Sequence, residues 1–145
     1  MRTLLAVAGL TTLVSTVSVS PAQAAAPYCS ILAIAPWVPS GGGTVVATGS
    51  ASCYGPVYGV NIITRLYKFS ASWHVYAEKK EYWGTVASNR NGSISAWGAA
   101  SPASACIRYM TQTQVNYKLA SGTPYSNIRY SDTVWRSGAG PCTLP

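Results

Sequence analysis

The chain has 145 residues, of which 48% are hydrophobic and only 9% are charged, and its formal net charge is +7. This length predicts one domain that is large enough to bury a core. The basic residues are scattered apart from the pair Lys79-Lys80, which excludes the basic stripe of a nucleic-acid-binding protein, and the positive charge favours anionic partners.

The first element in the chain is an export signal. A positive charge at Arg2 precedes an apolar run over residues 4–19, and the small-residue pattern Ala22-Gln23-Ala24 that a signal peptidase cleaves follows it. We predict a signal peptide over residues 1–24 and a single secreted domain over residues 25–145. The apolar run is too short for the ~20 residues that cross a bilayer, so no integral membrane contact is expected. Loss of Arg2 leaves nine basic and three acidic residues, a formal charge of +6.

Strand signals continue through the whole secreted domain, where Val, Ile, Thr, Tyr and Trp abound and turn residues recur about every ten positions. The predicted strands are Tyr28–Ala35, Thr44–Tyr54, Val57–Phe69, a fourth that starts at Trp73, Tyr82–Ala87, Ser93–Trp97, Cys106–Leu119 and Ile128–Trp135. About seven or eight strands without a helical pattern predict an all-β, two-sheet antiparallel β-sandwich.

Two connections in this pattern are predicted from local chemistry. The segment Trp73–Trp83 is predicted as a hairpin with Lys79-Lys80 at its tip, and a helical turn over residues 77–81 is the alternative. Ser88–Gly92 is predicted as the turn of a second hairpin, because Asn-Gly accepts the positive φ that such turns need. In the strand Thr44–Tyr54, one face carries small residues and is predicted to pack closely against the other sheet.

All four cysteines follow the export signal, so they meet an oxidising compartment in which disulfides persist. We predict the sequential pairing Cys29–Cys53 and Cys106–Cys142, which leaves moderate loops and gives about 2–4 kcal/mol for each bridge. The rival is an immunoglobulin-type bridge between Cys53 and Cys106. That bridge expects a Tyr two residues before the second cysteine, where this chain has Ser104.

The secreted domain holds few residues that could perform catalysis. His74, Glu78 and Glu81 form the only cluster that suggests a metal or general-base site, and solvated charges balanced by Lys79 and Lys80 explain it more simply. No Gly-x-Ser-x-Gly elbow is present, and the cysteines lack the close spacing of metal ligands. We therefore expect no enzyme activity, no metal site and no cofactor.

Aromatic residues give the strongest functional signal, since five Trp and ten Tyr accompany a single Phe. Tyr and Trp combine an apolar ring with a polar group and therefore suit binding surfaces. The predicted ligand-binding residues, which the predicted hairpins bring together, are Trp73, Tyr76, Tyr82, Trp83, Lys79 and Lys80. Trp97 and Trp135 are expected to be core residues.

Two short segments resemble a group of known proteins. Ala51-Ser52-Cys53-Tyr54-Gly55-Pro56 and Thr64-Arg65-Leu66-Tyr67-Lys68, with the signal ending Pro21-Ala22-Gln23-Ala24, resemble small secreted proteins of actinobacteria. This resemblance implies an immunoglobulin-like sandwich and an extracellular location, and it implies no site residue.

The expected function is that of a secreted, non-enzymatic binding domain. It presents an aromatic and basic surface to an extracellular protein or to a cell-wall or polysaccharide surface of anionic character. One alternative is an inhibitor of a secreted hydrolase that presents the loop Ser88–Ser93 or Gly122–Asn127. Another is a basic antimicrobial or toxin-like factor.

Overall fold

The computed structural model describes residues 25–142, and the predicted signal peptide lies outside the described residues. The described chain is all-β and contains no helix that is long and apolar enough to cross a membrane. Its strands are β1 (Tyr28–Trp37), β2 (Thr44–Tyr54), β3 (Val57–Ser70), β4 (Ser72–Val86), β5 (Asn89–Ala99), β6 (Ile107–Lys118), β7 (Pro124–Tyr130), β8 (Val134–Ser137) and β9 (Gly140–Pro141).

The strands form two antiparallel sheets that pack face to face, so the predicted two-sheet sandwich is confirmed. One sheet has three strands in the order β1-β2-β5. The other has six strands, with β4-β3-β6 in order, β7 and β8 both paired with β6, and β9 paired with β8. Placing the first, second and fifth strands in one sheet and the third and sixth in the other is the immunoglobulin-like arrangement.

Strand β2 shows why the two sheets approach closely. Its inward positions carry small residues, as the sequence predicts, and Val45, Ala47, Ala51 and Cys53 are at most 1% exposed. The backbone of Gly49 lies directly against the opposite sheet, since a Cβ added there would be 2.5 Å from Thr64 Oγ1. The alternation of small inward and polar outward residues therefore fixes which face of β2 is buried.

The core between the sheets has two apolar clusters separated by a polar layer. The larger cluster includes Val57, Ile62 and Val115, and the smaller one includes Leu66 and Tyr109. The polar layer consists of three fully buried threonines, whose hydroxyl oxygens have no hydrogen-bond partner among the described residues: Thr64, Thr111 and Thr113.

Both predicted disulfides are present. Cys29–Cys53 joins directly paired positions of β1 and β2, and Cys106–Cys142 joins the residue before β6 to the residue after β9. They close loops of 24 and 36 residues. By the chain-entropy relation each bridge stabilises the fold by roughly 3–4 kcal/mol.

The predicted hairpin over Trp73–Trp83 is wrong, and so is the helical alternative. Strand β4 runs without interruption, and Lys79 and Lys80 pair with residues in the middle of β3. The reversal between β3 and β4 occurs instead at Ala71, a non-glycine residue with a φ of 60°. Charged residues persist inside β4 because it is an edge strand, where charge is tolerated and limits pairing with other chains.

The predicted turn at Ser88–Gly92 is also wrong. Strands β4 and β5 belong to different sheets, and the chain crosses between them at residues 87–88. Gly92 lies inside β5, opposite Ala51 of β2. A Cβ at Gly92 would be 2.8 Å from the ring of Trp83, so this glycine accommodates a close ring contact.

The last predicted strand, Ile128–Trp135, is divided in two. β7 pairs with the second half of β6 and β8 pairs with its first three residues, and the chain changes course between them at residues 131–133. The Ser131 N–H donates to the carbonyl of Thr111, and the Thr111 N–H donates to Ser131 Oγ. These bonds pair the N–H and the carbonyl of Thr111 at the point where neither β7 nor β8 pairs with β6.

Candidate functional site

The aromatic residues that we predicted to lie together have different surroundings in the structure. Trp83 is only 7% exposed and lies in the core beneath the guanidinium of Arg90, so it does not belong to an exposed binding surface as its ligand-binding assignment requires. Tyr76 points toward the three-stranded sheet, where its hydroxyl donates to the carbonyl of Ala99 at 2.8 Å. Tyr82 is 72% exposed on the outward side of β4. These three side chains therefore form no common platform.

Lys79 and Lys80 are separated as well, because neighbouring residues of a strand point to opposite sides. Lys79 pairs with the inward-facing Thr64, while Lys80 lies on the outward side with its Nζ 3.2 Å from Glu78. The sequence-predicted basic pair is thus not a single basic patch.

Neither of the two tryptophans that we expected in the core is fully buried. Trp97 is 58% exposed, which contradicts the prediction, and Trp135 is half-buried on the outward side of β8. Trp73 is half-buried on the outward side of β4. Trp73 and Trp135 thus lie on the same outer face, that of the six-stranded sheet.

This outer face carries a row of four side chains across four neighbouring strands, which we call the aromatic–arginine row. It consists of Trp73 on β4, Phe69 on β3, Arg108 on β6 and Trp135 on β8. Trp73 pairs with Phe69, and Arg108 pairs with Trp135. Phe69 lies beside Arg108, because the next pair along these strands joins Lys68 to Tyr109. Strands about 4.8 Å apart make the row roughly 15 Å long.

The guanidinium of Arg108 is held among the three rings of this row. Its carbon lies 4.3 Å from the ring centre of Phe69, 5.3 Å from that of Trp73 and 5.7 Å from that of Trp135. Phe69 and Trp73 meet edge to face, with ring centres 5.3 Å apart. Arginine over aromatic rings is a favourable arrangement, and here it also fixes the orientation of the cation.

No carboxylate in the described part of the chain pairs with Arg108. Glu78 pairs with Arg65 at 2.6 Å, and Glu81 lies 3.9 Å from Arg90. The Nε atom of Arg108 is buried without a hydrogen-bond partner among the described residues. The row therefore contains a positive charge that the described chain does not neutralise.

The neighbouring part of the outer face is a connected polar network. Arg65 donates to Gln112 at 2.6 Å and to Gln114 at 3.0 Å, and Gln112 donates to the hydroxyl of Tyr130 at 2.6 Å. The hydrogen bond from Arg65 lowers the pKa of the Glu78 carboxyl below its ordinary value of 4.5. In contrast to Arg108, Arg65 thus pairs with a carboxylate and donates to two glutamines.

The residues that suggested a metal or general-base site do not come together. His74 bonds to Ser72 and to the carbonyl of Ser70 at the hairpin end, whereas Glu78 and Glu81 lie on opposite sides of β4. Within residues 25–142, no group of three His, Cys, Asp or Glu is placed to hold a metal ion. The proposed inhibitor loop Ser88–Ser93 is mostly strand, since β5 begins at Asn89.

Phe69, Arg108 and Trp135 belong to the row but were missed by the sequence interpretation. The first and last of them, Phe69 and Trp135, are separated by 66 positions in the chain, and no local pattern links the three. Only the strand order and register could have identified them. No protein-family model matches this chain, and no curated protein matches it either.

Proposed function

We propose that this protein is a secreted, non-enzymatic binding domain that holds an anionic extracellular polymer at the aromatic–arginine row. The observation that carries the proposal is the guanidinium of Arg108, which lies among the rings of Phe69, Trp73 and Trp135 and pairs with no carboxylate within residues 25–142. An acidic group on a polymer would supply the missing counter-charge, and the surrounding rings would offer apolar contact to the atoms that carry it.

Two physical points support an anionic ligand at this place. The rings exclude water from one side of the guanidinium, which strengthens its attraction to a carboxylate or phosphate. They also hold the side chain in one orientation, so little conformational entropy is lost when the ligand binds. The formal charge of +6 on the secreted domain also attracts anionic ligands over a longer range.

The proposal places the protein outside the cell, to which its signal peptide would export it. The two disulfides suit an oxidising compartment, and the sequence of residues 1–24 fits a cleaved signal. Mass determination of the protein recovered from culture medium tests this point, with cleavage after Ala24 as the expected result.

The binding experiment uses the domain of residues 25–145 and immobilised polygalacturonate, with polyphosphate as a second anionic matrix and dextran as the neutral one. We expect retention on an anionic matrix that falls as salt is raised. Comparison of the carboxylated and phosphorylated matrices identifies the acidic group that is preferred.

Matched variants then test the site. Arg108→Gln should weaken binding about 10–100-fold, the range for loss of a charged hydrogen-bonded contact. Lys80→Gln is the control, since it removes the same charge from the same outer face but lies outside the row. Equal losses for the two variants, or no retention on either anionic matrix at low salt, would contradict the proposal.

A further inference from the structure

The outer face of the three-stranded sheet has an unusual composition. Its outward residues form five rows across β1, β2 and β5: Tyr28, Tyr54 and Asn89; Ser30, Ser52 and Asn91; Leu32, Ser50 and Ser93; Ile34, Thr48 and Ser95; Trp37, Val46 and Trp97. We call this surface the hydroxyl face.

The hydroxyl face contains no charged side chain. Arg90 is the only charged residue on these three strands, and it pairs with the inward-facing Cys53 and lies over the ring of Trp83. The other charged residues of the described chain lie on the six-stranded sheet or its connections. The surface is therefore neutral in a protein that is otherwise strongly basic.

The three middle rows present hydrogen-bonding groups to solvent. Thr48 and Ser95 share a hydrogen bond of 3.0 Å, and Ser30 donates to the carbonyl of Ser52 at 3.4 Å. The hydroxyls of Ser50 and Ser93 have no side-chain partner among the described residues and lie side by side in the central row. Each hydroxyl can both donate and accept, so the face matches a ligand that does both.

Aromatic pairs stand at both ends of the face. The rings of Tyr28 and Tyr54 lie 5.0 Å apart at one end, and those of Trp37 and Trp97 lie 6.4 Å apart at the other. The tryptophans cover Val46, which is fully buried although it points outward. Eight residues of β2 separate the two pairs, a distance of about 27 Å along the strand.

Charge and area together indicate what this surface can bind. A neutral face gives no electrostatic gain to a charged polymer. The face covers nine positions of β2 and three strands, roughly 30 by 14 Å or on the order of 400 Å², which is below the ~800 Å² per partner of a stable protein dimer. Neutral sugars suit it, because their hydroxyls exchange hydrogen bonds and the apolar faces of their rings stack on aromatic side chains.

We propose that the hydroxyl face binds an uncharged, extended polysaccharide of the β-linked kind, laid along the strands between the tyrosine pair and the tryptophan pair. A straight chain fits because the surface is open and its binding groups follow the direction of β2. This site lies on the opposite side of the sandwich from the aromatic–arginine row, and it does not depend on the function proposed above.

The test measures the fraction of the domain, residues 25–145, that is retained on microcrystalline cellulose and on chitin across a range of sodium chloride concentrations. We expect retention on at least one of these solids that salt does not reduce, because the face carries no charge. Trp97→Ala should weaken retention about tenfold or more, as loss of an exposed tryptophan anchor does. Tyr82→Ala, which removes an exposed tyrosine from the other sheet, is the control and should retain full binding.

A second variant guards against unfolding as the explanation. Ser50→Arg places a long charged side chain at the centre of the face without entering the core, and it should abolish retention while thermal unfolding is unchanged. Ser126→Arg adds the same residue to the outer face of the six-stranded sheet and should bind as the unmodified domain does.

Three results would overturn the inference. The first is no retention on either solid. The second is retention that salt abolishes or that Arg108→Gln removes, because binding would then involve the basic face. The third is a concentration-dependent dimer that Ser50→Arg dissociates, which would make a second copy of the chain the occupant.

Discussion

Replacement of Gly49 by alanine should destabilise the domain through a single crowded contact. The added Cβ would lie 2.5 Å from Thr64 Oγ1 and even closer to Thr113 Oγ1. Both threonines are fully buried, and their β-branched side chains have little freedom to move away. The sheets must therefore separate locally, or a threonine must leave its preferred rotamer.

The expected magnitude follows from two opposing effects. Overpacking of a filled core costs about 1–3 kcal/mol. Replacing glycine by alanine in a strand also stabilises the fold by roughly 0.5–1 kcal/mol, because alanine has less backbone freedom than glycine in the unfolded chain and loses less of it on folding. The net loss for Gly49→Ala is thus about 1–2 kcal/mol. For a domain of this size each 1 kcal/mol corresponds to a fall in Tm of roughly 3–5 °C.

Urea unfolding with both disulfides intact measures this loss as a change in midpoint at constant slope. Thr113→Ala removes Oγ1 and Cγ2 of Thr113, two of the three atoms nearest to the added Cβ, and leaves Thr64 Oγ1, so in that background Gly49→Ala should cost less, by about 1 kcal/mol. Ser50→Ala on the outward side of the same strand is the control and should stay within about 0.5 kcal/mol of the unmodified domain. Equal stability of Gly49→Ala and the unmodified domain, or the same loss in both backgrounds, would refute the argument.

Two further predictions concern Thr64 and Glu78. Thr64→Val should raise the free energy of unfolding by about 1 kcal/mol in the same urea assay, because it removes a buried hydroxyl that has no described partner; a lower stability would mean that the hydroxyl is satisfied. The hydrogen bond from Arg65 lowers the pKa of Glu78, so this pair stabilises the fold above about pH 4.5 and the contribution disappears as the pH falls through the lowered pKa. Because the pair is partly exposed, Glu78→Gln should reduce stability at about pH 6 by at most ~1 kcal/mol, and that difference should vanish in strong acid; a difference that persists there would exclude the ion pair as its cause.

Much of the fold could be predicted from local sequence. β2 has the predicted bounds, because its small and polar residues alternate without a break and turn residues flank it. The disulfide pairing was also predictable, since Ser104 stands where the rival arrangement needs a tyrosine. These features depend on neighbouring residues, or on a spacing that the sequence states directly.

The errors arise where a local signal has a tertiary cause. Gly92 resembles a turn residue, yet it is small because the ring of Trp83 lies against it. Lys79 and Lys80 resemble a solvated tip, yet they lie within the edge strand β4. Ala71 makes the real turn with a positive φ that its residue type does not indicate.

Both candidate sites depend on strand order, which the sequence does not state. Arg108 joins Phe69 only because β6 lies beside β3, and its pairing with Trp135 needs the shift from β7 to β8. Likewise the serines of β5 join those of β2 through a pairing between strands that are not consecutive in the chain. Residue types alone therefore revealed the aromatic excess but not its arrangement.

The absence of charge from the hydroxyl face has a consequence for how the domain meets a surface. Because the positive charge lies on and around the six-stranded sheet, the electric field of the domain is asymmetric. Near an anionic surface, this field orients the domain before contact. Near an anionic envelope the domain should arrive with the six-stranded sheet first, while the three-stranded sheet faces the medium. This orientation acts over roughly 10 Å at moderate ionic strength, so added salt should randomise the direction of approach before it changes any contact.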